Sequence, residues 1–196
     1  YAISEGFIVL AAIWASTRLL RTEHWLGALG MVLFGVAAAI GVYRFGVGQI
    51  ENLANFHKDF SQIGGSIAMA LVSAQLLLAE PWITRPALGR WFVLVAIIAS
   101  AVIAFSMPTL TTPLFLTWLS IAIVAAAFIP AASIVRRIFL AAIVSIFLIN
   151  LLLVRQSHLL GPDLSWHLFH ILVALWVFGM VYVLEFRHLC ENKRLQ

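Results

Sequence analysis

The sequence is short of charge. Only 10% of its 196 residues are Asp, Glu, Lys or Arg, while 63% are hydrophobic and the mean hydropathy is +1.05. A soluble domain carries about a quarter charged residues, so a water-soluble globule is excluded. A single cysteine, Cys190, excludes an intrachain disulfide framework and a Cys-rich zinc module. Only two lysines occur, Lys58 and Lys193, both at the ends of apolar runs, which argues against a Schiff-base rhodopsin. No internal repeat, low-complexity tract or linker stands out. The net charge of +4 does not point to nucleic acid, because the basic residues sit in short breaks where they set membrane topology. The chain begins with Tyr1 and not Met, so its native start is expected to be missing, and no separate signal peptide is read.

What is present is a series of long apolar runs. A membrane-spanning helix needs about 20 such residues. Seven runs qualify: Ala2 to Leu20, Trp25 to Tyr43, Phe60 to Leu78, Trp91 to Met107, Leu114 to Ile129, Ile134 to Leu153 and Leu164 to Leu184. The expected fold is therefore an all-α, seven-helix transmembrane bundle, read as one domain over residues 1–196. The breaks are chemical: Thr22-Glu23-His24, Glu80-Pro81, Met107-Pro108, Thr112-Pro113, Pro130 with Arg136-Arg137, and Gly161-Pro162-Asp163. Pro162 suits a helix start, where its missing N–H costs nothing. Nine of the twelve basic residues fall on one side of this arrangement and only Arg44, Lys58 and Arg155 on the other. That bias predicts an outside N-terminus and a cytoplasmic C-terminus. Trp25, Trp82, Trp91, Trp118 and Trp166 fall near predicted ends, as an aromatic belt does.

Glu23, Glu80, Glu185, Glu191, His24 and His188 fall on the cytoplasmic side, while the outer side holds a denser set. Glu5, His57, Asp59, His158, Asp163, His167 and His170 are all there, with four of the six histidines. Ionisable groups at membrane depth are expensive and usually face a bundle interior or a wet cavity. At 100° per residue, Asp163, His167 and His170 share one face of the last helix over two turns, and Asp59, Gln62 and Ser66 make a similar stripe on the third. Imidazole and carboxylate on adjacent turns can hold a divalent ion such as Zn²⁺. Plain structural readings stand beside this. His167 and His170 suit an interfacial belt, Asp163 suits an N-terminal cap, and Asp59 suits an ion pair with Lys58 or Arg44. Gln62 and Ser66 suit helix–helix contacts.

Three stretches resemble the CREST superfamily of membrane hydrolases, which includes alkaline ceramidases, Per1-like proteins and the progestin and adiponectin receptors. They are SWHLFHILVALW (Ser165 to Trp176), FGVAAAIGVYRFG (Phe34 to Gly46) and NFHKDFSQIGGSIAMAL (Asn55 to Leu71). The resemblance implies a site in which three histidines hold zinc, a Ser and an Asp assist the bound water, and a lipid amide or ester is cleaved. Trp166-His167 matches the second histidine of the last-helix pair, and Asp163 stands at the first. Arg44 stands at the helix-two histidine, Ile40 at the serine, and Asp59 at the helix-three aspartate.

The leading expectation is thus an intramembrane zinc-dependent hydrolase with a membrane lipid as substrate, in the bacterial inner membrane or an equivalent cell membrane. Its ligand pool is His57, Asp163, His167 and His170, with Asp59 as base and Arg44 on an anionic substrate group. The alternatives are a non-catalytic lipid- or ligand-binding receptor or accessory protein of the same fold, and a haem protein with His57 and a last-helix histidine as axial ligands.

Overall fold

Each apolar run forms a helix because only a helix satisfies every backbone N–H and C=O within its own segment in lipid. The computed structural model describes residues 1–78, 86–129 and 132–195, with side chains throughout except at 86–88 and 190–195. Among the described residues there are seven α-helices: α1 Ala2–Arg21, α2 Trp25–Gly46, α3 Ala54–Leu77, α4 Pro86–Ser106, α5 Thr111–Ala127, α6 Ile134–Ile149 and α7 Pro162–Leu195. Among the described residues, seven helical segments are long and apolar enough to cross a membrane. This is an integral, multi-pass, all-helical protein. The expected break at Glu80-Pro81, together with Trp82, Arg85 and Pro130, lies outside the described residues.

The observed helices depart from the expected spans in two informative places. Helix α3 starts six residues before the predicted Phe60, at Ala54, so His57, Lys58 and Asp59 are helical. Polar residues in a first turn do not break a helix whose later turns are buried. Helix α6 continues through a π-helical turn, Asn150–Val154. There the Arg155 N–H reaches the Asn150 carbonyl at 2.9 Å. Such single π turns are frequent at functional sites.

Helix α3 is the most buried span and α4 the least. Helices α1, α2, α3, α5, α6 and α7 pack in that ring order, with α7 closing against α1 and α4 resting outside on α3. Without a hydrophobic drive between helices in lipid, packing relies on small residues and interhelical hydrogen bonds. Both are present. Ser66 Oγ donates to the Thr111 carbonyl at 2.7 Å and, seven residues on, Ser73 Oγ to the Trp118 carbonyl at 2.8 Å. These two rungs fix α3 on α5. Gln75 Oε1 accepts from the Leu26 N–H at 3.1 Å, satisfying an orphan donor at the start of α2. Asn150 Nδ2 donates to the Phe169 carbonyl at 2.8 Å, tying the π turn to α7. Gly30 lets α2 approach α3: a Cβ there would lie 2.8 Å from the Ala68 carbonyl oxygen. Phe7, Leu10, Phe92, Val102 and Phe139 point outward, as lipid-facing side chains do.

Candidate functional site

The site is built by α1, α2, α3 and α7 at one end of the bundle, where α1, α3 and α7 begin and α2 ends. Its centre is Glu5. This carboxylate sits in the first turn of α1 and is only 2% exposed. His57 from α3 and His170 from α7, each 7% exposed, flank it. His170 Nε2 lies 3.2 Å from Glu5 Oε1 and His57 Nε2 lies 3.7 Å from the same oxygen. These are ion-pair approaches rather than aligned hydrogen bonds, for Oε1 is buried without a hydrogen-bond partner of good geometry. Gly41 makes room for it: a Cβ at that position of α2 would stand 2.5 Å from Oε1.

The ring nitrogens can be assigned from their partners. His170 Nδ1 is 2.7 Å from the Trp166 carbonyl oxygen, which only accepts, so Nδ1 carries a hydrogen. Its Nε2 then faces Glu5 either as a bare lone pair or, in the imidazolium, as a donor. Two bare acceptors at 3.2 Å would repel, so the geometry suits a proton shared between Glu5 and His170. His57 Nδ1 lies 3.5 Å from Arg44 Nη1, which only donates, so His57 turns Nε2–H toward Glu5. Arg44 is itself held by donation from Nε to the Ile50 carbonyl at 2.7 Å.

The trio opens into a cavity of about 590 Å³, within the range of small-molecule sites. Phe34, Phe115, Phe147 and Val173 form its apolar interior, and Arg44, Lys58 and Arg155 are its basic lining. Arg155, delivered by the π turn, stacks 4.8 Å above the Trp166 ring. Tyr1, Phe45 and Trp166 form an aromatic cluster beside the cavity, with centroids 5.1 to 5.7 Å apart.

The expected stripe on α7 does share one face, but that face meets α1. Asp163 accepts a hydrogen bond from the Tyr1 hydroxyl, His167 Nδ1 lies 3.0 Å from Ser4 Oγ, and His170 faces Glu5. The bond to Asp163 raises the Tyr1 hydroxyl pKa above its ordinary value. Of the four residues expected to form a zinc pool, His57 and His170 are brought together and Asp163 and His167 are occupied elsewhere. Among the described residues, no group of three or more His, Cys, Asp or Glu side chains is placed to hold a metal ion. The expected pool does not fit zinc as a set. Asp59, expected as the base, lies outside the cavity lining. It is exposed, and its neighbours Lys58, Ser61 and Gln62 line the cavity instead. The helix phase turns position 59 outward. Arg44 does line the cavity, as expected. Glu5 stands against both histidines of the haem expectation, 3.7 Å from His57 Nε2 and 3.2 Å from His170 Nε2.

Glu5 is the residue that sequence reasoning left out of the site. Its signal was available: a lone carboxylate inside an apolar span is a functional candidate by default. No protein-family model, curated protein or solved structure matches the chain.

Proposed function

We propose that the cavity binds a lipid-like amphiphile and that Glu5, His57 and His170 form an acid–base centre that hydrolyses its ester or amide bond. The observation that carries this reading is the buried Glu5 carboxylate between two imidazoles, 3.2 and 3.7 Å away, at the wall of an apolar cavity. With the shared proton on His170, the Glu5 carboxylate takes a proton from water. The water oxygen adds to the carbonyl carbon, and the His170 imidazolium gives its proton to the leaving oxygen or nitrogen as the bond breaks. His57 Nε2–H stabilises the charge on Glu5 until it is used. Such positioned proton transfer contributes about 10²- to 10⁴-fold to a rate. The distribution of basic residues supports a cavity facing away from the cytoplasm.

One observation favours a second reading, binding without turnover. Ser66, one of the lining hydroxyls, donates to the Gln62 and Thr111 carbonyls and is not aimed at the acid–base pair as a nucleophile. The two readings separate in one assay. Purified protein is incubated with a panel of lipid esters and amides, beside Glu5→Gln and His170→Asn. Hydrolysis that falls by about 100-fold or more in both variants supports the acid–base centre. Bound lipid recovered intact from the wild-type protein supports the receptor or accessory reading.

A further inference from the structure

The cavity is unbalanced in charge. Arg44, Lys58 and Arg155 line it against one carboxylate, Glu5, which is already flanked by two imidazoles. Among the described residues, none of the three cations is paired with a carboxylate. Arg44 spends Nε on Ile50 and Nη1 on His57, which leaves its second amino group free. The Arg155 guanidinium carbon lies 4.8 and 5.4 Å from the Trp166 and Phe169 ring centroids, and these ring contacts leave its N–H donors for other partners. Arg44 is half-buried and Lys58 and Arg155 are exposed, so these cations stand at the mouth within reach of an incoming anion.

Helix register orders the lining by depth. Arg44 sits in the last turn of α2 and Lys58 near the start of α3, while Arg155 follows the π turn. Phe34 lies ten residues before Arg44 on α2, about 15 Å further in at 1.5 Å per residue. Phe147 and Val173 are likewise one to three turns inside Arg155 and His170. The cavity is therefore cationic at its mouth, acid–base at its middle and aromatic at its base.

We infer that the occupant is an anionic amphiphile, with an oxyanion head (carboxylate or phosphate) at Arg44 and Arg155 and one apolar chain running toward Phe34 and Phe147. This rests on the reading of the cavity as an amphiphile site and adds the head-group class. It also places the cleavable bond between head and chain, level with Glu5.

The test is calorimetric titration of the full chain in an uncharged detergent with dodecyl phosphate, dodecanoate, dodecanol, dodecyltrimethylammonium and inorganic phosphate. The two anionic amphiphiles are expected to bind about 10-fold or more tighter than dodecanol, the gain of a charge-assisted pair. The cationic amphiphile is expected to bind more weakly than dodecanol. Arg44→Gln with Arg155→Gln is expected to abolish the anion preference while leaving dodecanol within about 3-fold. If that double variant fails to fold, Arg44→Lys and Arg155→Lys keep the charge without the fork and are expected to retain part of the preference. Equal binding of dodecanol and dodecyl phosphate overturns the head-group assignment alone. Absence of binding by every amphiphile overturns the cavity reading itself. Inorganic phosphate binding as tightly as dodecyl phosphate overturns the apolar-chain half of the inference.

Discussion

His170 Nε2 lies 3.2 Å from Glu5 Oε1, joining the first turn of α1 to the third turn of α7. The contact is buried in a membrane-spanning bundle, where an uncompensated carboxylate is expensive. Removing His170 leaves Glu5 with His57 alone at 3.7 Å. His170→Ala is therefore expected to destabilise the protein by about 3 kcal/mol, the cost of breaking a buried charged pair. Glu5→Gln with His170→Ala is expected to cost less than His170→Ala alone, because the stranded charge is gone. Detergent-phase unfolding of the three variants checks this, and simple additivity would count against the pairing.

Gly41 is expected to tolerate no side chain. A Cβ there would meet Glu5 Oε1 at 2.5 Å, whereas one at Gly6 would meet nothing within 4 Å. Gly41→Ala should lower the melting temperature and ligand affinity together, and Gly6→Ala should leave both unchanged. A Gly41→Ala protein that binds its amphiphile normally would show that Glu5 has room to move.

The rung between Ser73 and the Trp118 carbonyl is expected to be modest in energy. Interhelical hydrogen bonds in membranes average about 0.6 kcal/mol, because partners remain available in the unfolded state. Ser73→Ala is expected to cost about that much, measured by unfolding in detergent. A loss of several kcal/mol would mean that the Ser66 and Ser73 rungs act as one unit.

His24, between α1 and α2 at the opposite end of the bundle, carries a pH dependence. Burial lowers its pKa below the ordinary 6.5, and the neighbouring His188 charge adds to the effect. The folded state thus binds this proton less readily than the unfolded state. Stability from a neutral His24 is full above the unfolded value and is lost as the pH falls through 6.5 toward the depressed folded value. His24→Asn, which keeps a polar side chain, is expected to flatten the melting temperature between pH 8 and pH 5.5. An unchanged slope would assign the dependence to other groups.

Chelation separates acid–base from metal chemistry. Hydrolysis or amphiphile binding is expected to survive a zinc chelator, and elemental analysis is expected to find metal well below one equivalent. Stoichiometric zinc that disappears in both His57→Ala and His170→Ala would return the chain to metal-dependent hydrolysis.

Much of the architecture was legible because the bilayer imposes length and polarity on each span. The α7 stripe was legible from its spacing, and Asp163, His167 and His170 do point the same way. What they point at was not legible. Spacing along one helix fixes a face but not the neighbour, and that neighbour is Tyr1, Ser4 and Glu5 on α1. The phase of α3 was equally hidden, because a start at Ala54 rather than Phe60 decides that His57 faces inward while Asp59 faces out. The π turn that brings Arg155 to the cavity has no signature in local composition.

The most direct measurement is an infrared titration of the purified protein, following carboxyl and imidazole bands across pH. The expected result is a carboxyl band that vanishes in Glu5→Gln and shifts in both His170→Asn and His57→Asn, with Asp59→Asn leaving it unchanged. A Glu5 band that titrates without regard to either histidine would contradict a shared proton at the heart of the site.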